Sequence, residues 1–168
     1  MADQKHGHGR EMWFEDKSVF VGEYRAGMKH GRGSYLWDDG SQYEGDFCND
    51  IIEGKGVYKC AKSTYEGEFH ASMQHGQGVQ RWLDGRVYEG NFTENHRDGE
   101  GKMTWPDGHV YAGQWSRGQQ HGKGVEGRAG NQTAVVYKNG VKTAKGGVAA
   151  ATNKKATGGV RDGAKVGA

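Results

Sequence analysis

Proline and cysteine are nearly missing from this sequence: one Pro and two Cys in 168 residues. Aliphatic residues are sparse too, and only 33% of the chain is hydrophobic. That is too little for a thick two-layer core, so aromatic rings must carry the burial. No apolar run approaches a membrane span or a signal-peptide core. The expected compartment is therefore the cytosol, and reduced thiols fit it. In the expected hairpin Cys60 lies opposite Tyr43 and Cys48 sits near the turn, about 15 Å away at ~3.4 Å per residue, too far to bridge. A basic body is also lacking. After residue 140 six bases face one acid, net +5, which leaves −3 on the rest of a chain whose total is +2. A mildly acidic body does not look like a nucleic-acid binder.

What the sequence has is glycine, 31 residues of it. Without a period so much glycine would mean disorder; here it recurs in phase and marks a repeat. Aromatic-x-Gly anchors stand at Phe20-Val21-Gly22, Tyr43-Glu44-Gly45, Tyr65-Glu66-Gly67, Tyr88-Glu89-Gly90 and Tyr111-Ala112-Gly113, in steps of 23, 22, 23 and 23 residues. Ten residues after each anchor comes a polar residue and Gly-x-Gly, starting at His30, Glu53, His75, Asp98 and His121. A half-copy precedes the five (His6-Gly7-His8-Gly9 with Trp13), and an eroded one follows (Thr133, Val135, Tyr137, Asn139-Gly140).

Within a unit Tyr43, Gly45 and Phe47 alternate with Glu44 and Asp46, the period of a strand with one aromatic and one charged face. A second strand starts at the Gly-x-Gly and carries Gly33, Tyr35 and Trp37 on one face. Turns fall at Ala26-Gly27, Asn49-Asp50 and Glu94-Asn95, and at Asp39-Gly40, Asp84-Gly85 and Asp107-Gly108, where glycine accepts the positive φ of a hairpin turn. Each unit is thus a hairpin. Stacked units give an all-β, single-layer antiparallel meander, an elongated twisted sheet of about twelve strands and about 55 Å at ~4.8 Å per strand. Aromatics beside the strand glycines are expected to cover them. A phosphate-cradling loop would need a helix after the glycines, and none follows.

The three His of the Gly-x-Gly leads, His30, His75 and His121, sit in alternate units about 20 Å apart at ~4.8 Å per strand. One metal ion cannot be shared over that span, so no metal and no cofactor is expected. A hydrogen bond to a turn explains better why Glu53 and Asp98 can stand in for His. Glu23, Glu44, Asp46, Glu66, Glu68 and Glu89 read as an outward acidic stripe facing Lys59, Arg81 and Lys102 across strands. No Ser/His/Asp or Cys/His set recommends itself, and a single-layer sheet offers no deep pocket; the expectation is no enzyme. The ring columns of the first strands read as core. Tyr35, Trp37, Tyr58, Trp82, Met103 and Trp105, on the second strands, read as a partner-binding groove, because a large apolar patch marks a binding surface.

The periodic pattern resembles MORN repeats, whose consensus is close to Tyr-x-Gly-x-Phe, a short turn, His-Gly-x-Gly and a second turn. The resemblance covers roughly residues 6–140: a half-unit, five units and a degenerate half-unit. Residues 1–5 are expected to be a disordered N-terminus and 141–168 a disordered Gly/Ala/Lys tail. The resemblance implies a non-catalytic role. Such repeats occur beside kinase or methyltransferase domains, at membrane contacts, in radial spoke heads of cilia and in cortical cytoskeletal rings. A chain of repeats plus a tail looks most like the small ciliary and cytoskeletal members. The implied function is a scaffold for protein–protein interaction in a ciliary axoneme or cortical cytoskeletal assembly. It would dock a helix or extended segment on its aromatic face and self-associate through its edge strands. The alternative is a peripheral membrane module that binds acidic phospholipid through the basic tail.

Overall fold

The computed structural model describes residues 4–148, with side chains through residue 145. Thirteen strands form one sheet in strict chain order, each antiparallel to the next. They are β1 Gly7–Met12, β2 Val19–Arg25, β3 Met28–Leu36, β4 Gln42–Cys48, β5 Ile51–Lys59, β6 Ser63–His70 and β7 Met73–Trp82. Then follow β8 Val87–Thr93, β9 His96–Thr104, β10 Val110–Ser116, β11 Gln119–Arg128, β12 Asn131–Lys138 and β13 Val141–Val148. Among the described residues the sheet is not closed, and β1 and β13 form its two edges.

A row of glycines runs across the sheet, one per strand and in register. Gly9 pairs with Gly22, and the row continues through Gly33, Gly45, Gly56, Gly67, Gly78, Gly90, Gly101, Gly113 and Gly124. It ends on buried Val135 of β12. The space above the row is filled by rings. A Cβ on Gly33 would stand 2.5 Å from the Phe20 ring, and one on Gly124 would stand 2.7 Å from Tyr111. The rings cover the glycines as the sequence suggested, and this is why a one-layer sheet can have a core.

Those rings interlock. Phe20, Phe47, Tyr43, Phe69, Tyr65, Phe92, Tyr88, Trp115 and Tyr111 meet edge to face in an unbroken zigzag, with centroids 4.9 to 5.4 Å apart. Tyr24 opens the chain of contacts and Tyr137 closes it. Each such pair adds about 0.5–1.5 kcal/mol beyond the area it buries. The first-strand aromatics are the core.

Each Gly-x-Gly sits on a bulge. His30 pairs with Glu23 and Gly33 with Gly22, so Gly31 and Arg32 are extra residues on β3. Gly31 there has φ +62°, and Gly54, Gly76, Gly99 and Gly122 repeat the conformation. Tyr hydroxyls donate to carbonyls nearby: Tyr43 to Asp46 at 3.1 Å, Tyr65 to Glu68 at 2.9 Å, Tyr88 to Asn91 at 3.0 Å and Tyr111 to Gln114 at 2.9 Å. The bulge also corrects the expected hairpin register. Tyr43 pairs with Tyr58, not Cys60, because the two bulge residues set how far β5 advances along β4. Both cysteines are free thiols.

The two-residue turns dock on the unit before them. Asp50 N–H donates to the Lys29 carbonyl at 3.0 Å, and Lys29 N–H donates back to the Asp50 carboxylate at 2.9 Å. Asn95 and Gln74 repeat this at 3.1 and 2.9 Å. In three units the residue leading the Gly-x-Gly takes the other turn N–H. Glu53 accepts from Ala71 at 2.9 Å, Asp98 from Arg117 at 3.0 Å, and His121 Nδ1 from Asn139 at 3.4 Å. Of the three His positions for which a turn hydrogen bond is expected, His121 makes it, whereas the buried His30 Nδ1 has no hydrogen-bond partner among the described residues. At Glu53 and Asp98 a carboxylate accepts in the same place.

Two terminal boundaries differ from the sequence reading. Gln4 and Lys5 belong to the described structure, and the Lys5 carbonyl accepts from Gly27 N–H at 2.9 Å. Val141–Val148 is not tail but the thirteenth strand, joined to β12 through the Asn139-Gly140 turn. Its Lys, Thr and Gly residues gave no strand period. It forms because β12 offers an open edge and Lys142 reaches the carboxylate of Glu126. The expectations for residues 1–3 and 149–168 fall outside the described residues.

Candidate partner-binding groove

The second strands carry their aromatics one and two steps past the glycine row. Tyr35 pairs with Tyr43, and Tyr58 pairs with both Tyr43 and Tyr65. Trp37 follows Tyr35 at the strand end, where its N–H donates to the Ser41 carbonyl at 2.9 Å. The Tyr35 and Trp37 rings lie 4.7 Å apart, and Trp37 meets Tyr58 edge-on at 5.8 Å. All three are half-buried. They form one wall of an open groove of about 450 Å³. Phe47, Phe69 and Ile52 contribute apolar lining, and Lys29, Asp50, Gln74 and Asn95 bring polar groups from the turn side.

The polar groups are tied down. Lys29 Nζ is 3.5 Å from the Asp50 carboxylate and also lies 4.9 Å from the Trp13 ring centroid. The turn hydrogen bonds already described fix Asp50 and Asn95. The groove therefore presents rings on one side and a backbone-anchored polar edge on the other. The core tyrosines hold their protons. Burial pushes the Tyr43 and Tyr111 hydroxyls up to about 12, and it raises Tyr65 and Tyr88 further.

Of the six groove residues read from the sequence, the structure brings three together: Tyr35, Trp37 and Tyr58. Trp82 lies further along, with the Arg86 and Arg97 guanidinium groups 5.3 and 5.7 Å from its ring centroid. Trp105 is tilted against His109 at 5.3 Å. Met103 is not part of an open groove. It is 2% exposed and belongs to the core, because its flexible unbranched side chain packs among the core rings between Tyr88 and Tyr111.

Sequence reasoning missed the far wall. Lys29, Ile52 and Gln74 line it; each directly precedes a Gly-x-Gly lead, as Arg97 does outside the groove, in a stretch read as connection. The strands in fact begin before the bulge, at Met28, Ile51, Met73 and His96. Counting the bulge into the strand would have found them. Arg97 shows what the position can do. Its guanidinium lies 4.8 Å from the Trp115 ring centroid and donates to the Gly118 carbonyl at 2.6 Å, and burial lowers its pKa. The acidic stripe was also read too simply. The Asp46 carboxylate accepts from Lys55 N–H at 3.0 Å and the Gln114 amide from Lys123 N–H at 3.0 Å, so both cap the bulge. Among the described residues no three of His, Cys, Asp and Glu converge with metal-ligand geometry.

Six stretches of the chain, residues 1–14, 20–42, 43–64, 65–85, 88–110 and 111–131, match the MORN repeat family model. The protein belongs to the MORN-repeat family. The matched stretches follow the structural units, from the β1 half-unit through the hairpins to β11. MORN repeats are interaction modules for proteins or membranes. The MORN glycines and tyrosines build the sheet and its core. The groove is made by residues between them, which differ from unit to unit.

Proposed function

We propose that this MORN chain is a non-catalytic scaffold that docks a segment of a partner protein in its aromatic groove. The observation that carries this is the wall of Tyr35, Trp37 and Tyr58. These rings are half-buried and stand over an open space, whereas the rings of the first strands are buried in the core, with Phe47 and Phe69 also lining the floor of that space. A helix or extended strand fits such a channel. The setting we propose is a ciliary axoneme or a cortical cytoskeletal assembly, on the resemblance of the repeat layout to small MORN proteins of such structures. The open edges at β1 and β13 offer self-association as a further contact.

The test is to tag the protein in its own cell and extract with non-ionic detergent, beside a Trp37→Ala/Tyr58→Ala variant. Retention of the native chain in the insoluble cytoskeletal fraction is expected, with release of the variant while its circular dichroism stays native. Release of both would overturn the scaffold reading. A second reading, binding of acidic phospholipid, rests on the bases after residue 140. Liposome flotation that disappears when residues 149–168 are removed would favour it.

A further inference from the structure

We propose that the end of the groove at Trp37 and Tyr58 takes a lysine or arginine side chain of the partner segment. This rests on the groove reading above and names the chemistry of its occupant. The repeats supply their own comparison. Four unit turns place an aspartate at the same position: Asp16, Asp39, Asp84 and Asp107. Each accepts the N–H two residues on, from Ser18, Ser41, Arg86 and His109. In the C-terminal pair an arginine neutralises the carboxylate, Arg86 at 2.8 Å and Arg128 at 2.9 Å. In the N-terminal pair a serine hydroxyl takes that place, Ser18 at 2.7 Å and Ser41 at 2.5 Å. Asp38 adds a third carboxylate. Among the described residues no lysine, arginine or histidine is paired with any of the three.

These carboxylates face rings. Asp16, Asp38 and Asp39 share a recess of about 380 Å³ with Trp37 and Tyr58. Trp37 and Tyr58 also line the larger apolar groove, so the recess adjoins it at these two rings. Aromatic faces beside uncompensated carboxylates are the usual surroundings of a bound cation: the ring faces attract the charge and the carboxylates neutralise it. A lysine or arginine can lay its apolar stem along the rings and its head among the acids, while neighbouring apolar side chains of the same segment enter the groove. The Ser18 and Ser41 hydrogen bonds hold the Asp16 and Asp39 carboxyls below their ordinary values, so both are ionised at neutral pH. An acidic lipid headgroup would be repelled here, which favours a protein segment.

The experiment uses the full chain and a phage-displayed library of random dodecapeptides. Peptides are selected on the native protein and re-measured on two variants. Trp37→Ala/Tyr58→Ala removes the rings. Asp16→Asn/Asp38→Asn/Asp39→Asn removes the charge but keeps the oxygen that accepts the turn N–H. The expected result is a set of ring-dependent peptides in which lysine or arginine adjoins apolar residues, with affinity at least about tenfold weaker on the charge variant. Ring-dependent peptides without a basic residue, or indifferent to the charge variant, would overturn this inference and leave the groove reading standing. If no peptide depends on Trp37 and Tyr58, both fall. Displacement by a synthetic peptide of residues 149–168 would make the chain's own basic end the occupant and overturn the assignment to a partner.

Discussion

The ring of Tyr65 occupies the space that a side chain on Gly78 would need. A Cβ there would stand 2.5 Å from Tyr65 Cε2 and 2.6 Å from Cζ. Gly78→Ala is expected to destabilise by about 3 kcal/mol, because the ring has no free volume to retreat into. Gly40→Ala supplies the control. Gly40 has φ +80° but open space around it, so only backbone strain of about 1 kcal/mol applies. Thermal melts of the two variants check the ranking. Equal losses would mean that the rings do not enforce the glycine row.

Ala71 and Ser72 form a turn in which both residues have positive φ, +49° and +63°. The turn is held there by bonds to Glu53 and Ile52 of the preceding unit. Ala71→Gly relieves the strain at the first position and keeps the N–H. A gain of about 1 kcal/mol in chemical denaturation is expected. A loss would show that the turn is not under strain.

Glu53 has its pKa lowered from 4.5, first by the Ala71 N–H and then by His70 at 2.9 Å. A lowered folded-state value means the carboxylate contributes stability above pH 4.5, and that contribution is lost as pH falls through the lower folded value. Asp16, Asp39 and Asp107, lowered from 3.8, act in the same direction at still lower pH. Melting temperature should therefore fall below about pH 4.5. Glu53→Gln keeps an acceptor for Ala71 but does not titrate, so its melting temperature should fall less steeply with acid. An unchanged slope would remove Glu53 from the acid response.

Met103 and Trp37 separate core from groove. Met103→Ala should cost about 2–5 kcal/mol, the range for a buried methionine. Trp37→Ala leaves the ring zigzag of the first strands intact and should cost clearly less in urea denaturation. A larger loss at Trp37 than at Met103 would place the tryptophan in the core and undo the groove.

Much of this arrangement was legible in the residues. The 23-residue rhythm from Tyr65 to Tyr88 marks the hairpin unit, and alternation of Tyr43, Gly45 and Phe47 marks the core face. These signals survive because they depend on neighbours close in the chain. Met103 did not reveal its burial, because exposure there depends on the side chain as well as on its neighbours: Tyr88 and Tyr111 flank Met103 just as Tyr43 and Tyr65 flank Tyr58, yet Met103 is buried and Tyr58 stays half-open. Val141–Val148 was missed for a related reason: its partner edge, not its own composition, makes it a strand.

By itself the sequence determined the repeat, the meander and the glycines beneath the rings, since each follows from a period of two within strands and of about 23 between units. Only the tertiary structure decided the pairing register and the groove. The two-residue bulge at each Gly-x-Gly sets which residues face each other, and the turns dock on the preceding unit through bonds such as Asp50 to Lys29. Those contacts join residues some twenty positions apart, so they bring Lys29, Trp37, Tyr58 and Gln74 to one wall or another of a single channel. No local pattern encodes that meeting; it comes from the bulges and turns acting together across adjacent units.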